Sequence, residues 1–257
     1  MLRTTGSTDC RKLLRIHVLT VLFIALLFCS HDDALGLVIE GLDSQWQADR
    51  FETPTFQSTP KVAGSLTQVL SRAESSLKVG NWAAAFSYAE YVLAQDKDNR
   101  QAQLILELIA ALGGQQNTSL DSDLFQGDEA VSIYVELIKA IRNGQQANYE
   151  EARTHLQNAS AIEPDHPIVL FYSGSLELAQ NNLDQAEKFF LETLTTSPEF
   201  PPALAGLGRV YRLKNQTDKA VTYYNKAIQA EPDTLLYRQQ LIEILKESGQ
   251  DLSLIHI

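Results

Sequence analysis

The sequence predicts an all-α solenoid built from helical hairpins, and three observations carry that expectation. First, the stretch Pro201 to Thr234 recurs in imperfect copies at a spacing of about 34 residues on both sides. Second, Leu204, Leu207, Gly208, Tyr211, Ala220, Tyr224, Ala227 and Pro232 form two apolar stripes of helical period separated by a break near Asn215, which is the pattern of two packed antiparallel helices. Third, Gly208 and Ala220 are small where helix axes must approach, Tyr211 and Tyr224 fill the space beside them, and Pro232 stops the second helix.

In chain order, residues 1–33 have the layout of an export signal. Arg3, Arg11, Lys12 and Arg15 precede an uninterrupted apolar run from Ile16 to Cys29, and His31, Asp32 and Asp33 follow it. The run is shorter than the roughly 20 residues of a comfortable transmembrane helix, so cleavage is expected rather than a retained anchor over residues 13–29. Leu26 and Cys29 resemble part of a bacterial lipobox, but Phe28 stands where a small residue belongs. Residues 34–60 mix turn formers with Pro54 and Pro60 and lack a sustained period, so they read as a linker.

The repeat region is expected over residues 61–251, with units 66–99, 100–132, 133–166, 167–200, 201–234 and 235–251. Ala73, Gly80, Trp82 and Ala85 keep the first unit in register, and Asp98-Asn99 replaces its proline. The second unit opens on an apolar helix ending at Gly113-Gly114, but Gln115–Gly127 is polar and without a stripe, so its second helix is expected to be a loop or irregular insertion. An apolar helix over Asp128–Arg142, expected to break at Asn143-Gly144, resumes the array. Ala152, Leu156, Ala159 and Pro164 mark the hairpin after it, and Leu170, Gly174, Ala186, Phe190 and Pro198 mark the next. The sixth unit carries Leu241, Ile242 and Leu245 and reaches Gly249 where its turn belongs.

Those residue types at those offsets resemble the tetratricopeptide repeat, which implies hairpins stacked into a right-handed α-solenoid. The resemblance covers residues 66–249. It also implies a concave groove lined by the first helix of each unit, in which extended peptides or single helices bind. On this register the groove side chains are Phe171, Ser175 and Leu178, then Ala205, Arg209 and Arg212, then Gln239, Glu243 and Lys246. Arg209 and Arg212 share a helix face and suit a partner's carboxylate, or an internal bridge. Chaperone-binding relatives use a Lys/Asn clamp, and Ser175 and Arg209 stand here instead of the asparagine.

Composition narrows the function classes. Residues 1–30 hold a local excess of three positive charges, so the −11 of the whole chain becomes −14 over residues 31–257. That balance argues against nucleic acid or an anionic membrane surface as the main partner; contact with a membrane is expected only through an N-terminal anchor or lipid. Both cysteines, Cys10 and Cys29, fall in the leader, and the sequence shows no Gly-rich phosphate loop, GxSxG, HExxH or CxxC. No catalytic residue, metal or cofactor is expected. His155 and His166 read as surface or packing residues, Glu150-Glu151 as first-turn carboxylates that favour the helix dipole, and Phe190 and Tyr224 as core. Asn117, Asn158 and Asn215 head glycosylation triplets at a frequency near chance.

The expectation is a non-enzymatic protein- or peptide-binding scaffold, exported to the bacterial periplasm or envelope, supporting assembly or secretion machinery. The competing expectation is the docking part of a larger exported enzyme. Residues 252–257, Leu-Ser-Leu-Ile-His-Ile, resemble the translation of a transposon-end adapter used in sequencing libraries, so the natural chain is expected to run on past Asp251.

Overall fold

The computed structural model describes residues 64–113 and 129–249. Ten helices run through them: α1 (Leu66–Lys78), α2 (Trp82–Gln95), α3 (Arg100–Leu112), α4 (Glu129–Gln145), α5 (Tyr149–Ile162), α6 (Pro167–Ala179), α7 (Leu183–Thr196), α8 (Pro201–Leu213), α9 (Thr217–Ala230) and α10 (Leu235–Ser248). No strand occurs among the described residues, and none of their helices is long and apolar enough to cross a membrane. The leader, the linker, the expected loop at 115–127 and residues 252–257 lie outside the described residues.

Local chemistry sets the helix ends. Ser65 and Gln68 form a reciprocal capping box on α1, and the side chains of Asn81 and Asn99 accept from the backbone amides of Ala84 and Ala102 to start α2 and α3. Pro167 and Pro201 occupy the first position of α6 and α8, where the missing amide proton removes no helix bond.

Between paired helices the chain takes one left-handed residue: Gly80 (φ 78°), Ala147 (60°), Asn181 (60°), Asn215 (56°) and Gly249 (66°). The last four are 34 residues apart, so the repeat is written in backbone dihedrals as well as in side chains. Each of the four turns from Gly80 to Asn215 closes with a bond from the next amide back to the fifth residue before it, as in Asn182 N to Glu177 O (2.8 Å) and Gln216 N to Tyr211 O (2.8 Å).

The same register corrects the expected end of α4. The helix does not break at Asn143-Gly144 but continues to Gln145, because Asn148 N bonds Asn143 O at 2.9 Å and places the left-handed residue at Ala147. A Cβ in that conformation costs roughly 1 kcal/mol. Ala147→Gly should therefore raise the urea midpoint, by about 0.5–1 kcal/mol of stability, whereas Gly144→Ala, inside the helix, should not show that left-handed gain.

Packing follows the small residues. Phe190 lies between two helices: a Cβ added at Gly174 on α6 would meet its ring at 2.9 Å, and one added at Gly206 on α8 at 2.8 Å. Tyr224 of α9 occupies the equivalent space over Gly208. Phe190 and Tyr224 are both buried, as a core assignment requires.

Helix α3, the single described helix of the second unit, packs directly on both α2 and α4. Arg142 of α4 donates to Glu107 of α3, and Gln145 Nε2 donates to the Ala111 carbonyl at 2.7 Å. At the far end α10 packs on α9, burying Leu241 and Leu245, while Ile242, at the repeat position of Gly174 and Gly208, stays half-buried and Leu235 is 67% exposed. The expected bare inner face of this last helix is thus reduced to Ile242 and Leu235.

Candidate partner-binding face

The nine side chains expected to line the groove form a grid of three columns, one each on α6, α8 and α10, with rows 34 residues apart. Their exposure rises along the array. Phe171 and Ser175 on α6 are half-buried, Ala205, Arg209 and Arg212 on α8 are half-buried, and Gln239, Glu243 and Lys246 on α10 are exposed.

Leu178 departs from this pattern and from the expectation. It is only 4% exposed and belongs to the core, whereas Arg212 and Lys246 occupy the same repeat position with their charges in reach of water. An apolar side chain gains by leaving water and a charged one does not, so the same position turns inward on α6 and outward on α10. Phe171 also has neighbours of its own: its ring centroid lies 5.1 Å from Tyr172, 5.8 Å from Phe190 and 5.5 Å from Phe200. The Ser175 hydroxyl donates to the Phe171 carbonyl at 3.0 Å.

Arg212 has carboxylate partners within the chain. It reaches across to α10, donating to Glu243 at 3.0 Å and to Glu247 at 2.7 Å. Partial burial opposes its charge, but the bonds to Glu247 and Glu243 hold its pKa above the ordinary value. Of the two sequence alternatives for this residue the structure contains the internal bridge, and it runs between helices. On the other side of α8, Lys214 donates to Asp184 (2.6 Å) and to Glu187, and those two bonds raise its pKa. Glu187 also accepts from the Tyr211 hydroxyl at 2.6 Å.

A second meeting place, not visible as one in the sequence, lies where the first unit touches the fourth and fifth. Helix α1 contacts α6. Lys78, its last residue, bonds Glu163 at the end of α5 (2.6 Å), and Trp82 sets its ring edge-on to Phe200, with centroids 5.7 Å apart at 84°. Gly80 fits between them: an added Cβ would lie 3.2 Å from Pro201 and 3.3 Å from the Phe200 ring.

Beside this contact is His166, 1% exposed, with no hydrogen-bond partner for either ring nitrogen among the described residues. Burial pushes its pKa down to about 4; Glu163 pulls it up and Lys78 adds to the lowering. Close by, Gln101 of α3 donates to Glu74 of α1, and Tyr134 of α4 is raised above the ordinary phenol range by burial, with Glu74 and Glu163 adding to it. His155, the other histidine singled out in the sequence, stands apart on α5, its Nδ1 2.8 Å from Glu136 Oε2. Glu150 and Glu151 are exposed in the first turn of that helix.

The sequence signal for this second site was the residue type at the helix starts. Ser65 and Asn99 cap their helices, but His166 and Phe200, at the same repeat position, make no side-chain cap bond and are buried instead.

With this geometry the comparisons with known proteins agree. The family profile described as tetratricopeptide repeat matches residues 145–194 and 178–245. The repeats there are tetratricopeptide repeats. A thermophilic TPR protein of Thermus thermophilus, TTC0263, superposes with a TM-score of 0.50 at 18% identity, over 71% of this chain and 100% of its own. A chain of the APC/C hetero-tetramer Cut9-Hcn1 gives 0.51 at 16%, over 85% of this chain and 40% of its own. Among curated relatives, human protein O-mannosyl-transferase TMTC1 is 24% identical over 171 residues, which is 64% of this chain and 19% of the human protein. The chain thus spans about a fifth of that relative's length. These likenesses establish the solenoid fold.

Proposed function

We propose that this chain is a non-enzymatic scaffold that binds a protein or peptide along the first helices of its repeats, with the α8–α10 end as the entry. The observation that carries the reading is the exposure gradient across the grid: Gln239, Glu243 and Lys246 are presented to solvent on α10, next to half-buried Arg209 on α8. Stacked hairpins of this kind create extended binding surfaces and hold them rigid. The acidic mature chain disfavours nucleic acid, and the basic leader with its apolar run supports an exported setting, the cell envelope, where such a scaffold would organise assembly or secretion machinery.

A photo-crosslinking amino acid placed at Gln239 tests this in the living source. Adducts with a discrete polypeptide are expected from Gln239 but not from the same group at Glu192, on the outward side of α7. Equal labelling from both positions would remove the groove assignment.

One observation favours a second reading. The relative that shares this repeat region across a fifth of its length is named as a transferase, so the repeats here would be the docking part of a larger exported enzyme. The full-length gene decides between the two: further repeats or an end support the scaffold, a catalytic domain the docking part.

A further inference from the structure

In a linear array each unit needs only its neighbours, yet the corner joining α1 and α2 sits on two corners far along the chain. Those corners are successive copies of one feature: Glu163 to His166 before α6, and Ser197 to Phe200 before α8. The helix-start residues His166 and Phe200 are buried where the first unit lies against them, while Thr234, the next copy beyond its reach, is only half-buried. The seat has an aromatic floor, Phe200 with Phe171 and Phe190 behind it, and a carboxylate rim, Glu163. Its occupant brings the matching chemistry, the indole edge of Trp82 and the ammonium of Lys78.

We propose that the α1–α2 corner is a built-in occupant of a recognition seat formed by the α5–α6 and α7–α8 corners, and that a partner segment carrying an aromatic side chain close to a basic one displaces it. This rests on reading the array as a polypeptide-binding scaffold, and names its ligand class. The closed arrangement is poised for release. Lys78 and Glu163 are each more than 40% exposed, so water and salt screen their bond. Closure also leaves both His166 ring nitrogens dry and without partners, which opposes it. Release removes both burdens, while a displacing segment would restore the aromatic contact and the ion pair.

The test uses the full chain and a fluorescein-labelled peptide copying residues 76–86, Ser-Leu-Lys-Val-Gly-Asn-Trp-Ala-Ala-Ala-Phe. A released variant, Lys78→Ala with Trp82→Ala, should bind it at least tenfold more tightly than the wild type, and adding Glu163→Lys to that variant should cut the affinity at least threefold. A control peptide with alanine for its tryptophan and glutamate for its lysine should not bind. Equal affinity of wild type and released variant at unchanged far-ultraviolet circular dichroism, or equal binding of the control peptide, overturns the proposal.

Should the released variant lose its helicity, hydrogen exchange on the wild type decides. Saturating peptide should speed exchange of α1 and α2 amides at least tenfold, and unchanged exchange overturns the proposal. If the peptide fails while adducts still form at Gln239, the scaffold reading stands and the seat falls; loss of the Gln239 adducts alone leaves the seat and removes the groove.

Discussion

Gly208→Leu is expected to cost about 3 kcal/mol of stability, the larger part of what a marginal repeat array has to lose. A Cβ at this position would lie 2.6 Å from Tyr224 Cδ2 and 2.7 Å from Cε2, well inside contact distance. Because Tyr224 is 2% exposed and lies between helices α8 and α9, its ring has no open side to move into, so α8 and α9 must separate. Urea unfolding followed by circular dichroism reads the loss as a lower midpoint. Tyr224→Leu, which removes the ring that Cβ would strike, should be costly alone but should cancel much of the Gly208→Ala penalty when the two are combined, a coupling that a double-mutant cycle isolates. Strict additivity would mean that the glycine acts through something other than that ring. Gly249→Ala offers the contrast: nothing lies within 4 Å of an added Cβ there, and the cost arises only from φ 66°.

How much of this could be read beforehand follows from range. The unit boundaries, the small residues and the aromatic fillers were legible because each hairpin is a local solution repeated every 34 residues, and pairs such as Gly208 with Tyr224 lie within one unit. The end of α4 was misplaced at Asn143-Gly144 because a glycine is a strong local stop signal, yet the register overrode it and put an alanine in the left-handed position.

The groove side chains were legible as positions but not as environments. Residues 178, 212 and 246 are one repeat site, and whether that site faces water depends on whether the residue is Leu, Arg or Lys and on which helix follows. The seat at Phe200 was beyond reach for a different reason: the Lys78–Glu163 bond joins residues 85 apart, and an expectation built on nearest-neighbour stacking has no place for it.

Acidification should loosen the same junction, with His166 as the responsible group. Its pKa in the folded chain is about 4, below the roughly 6.5 of an exposed histidine, so the unfolded chain takes up the proton first. Stability from the neutral buried ring is therefore complete above about pH 6.5 and is lost as pH falls from there toward 4, at about 1.4 kcal/mol per unit, or about 3 kcal/mol across the window. The charges that face the ring partly cancel: Glu163 at the end of α5 favours the imidazolium, and Lys78 at the end of α1 opposes it. Lowering the pH also begins to protonate carboxylates elsewhere, so the histidine's share has to be isolated by substitution.

His166→Phe does this with a residue the chain already accepts at the equivalent site, since Phe200 occupies the same repeat position fully buried and without a cap bond. The variant should match or exceed the parent at pH 7.5, because two unpartnered ring nitrogens leave the interior. Its urea midpoint should fall much less between pH 6.5 and 4.5. A parallel decline in both proteins would assign the acid sensitivity to carboxylates and leave His166 a neutral packing residue over the whole range.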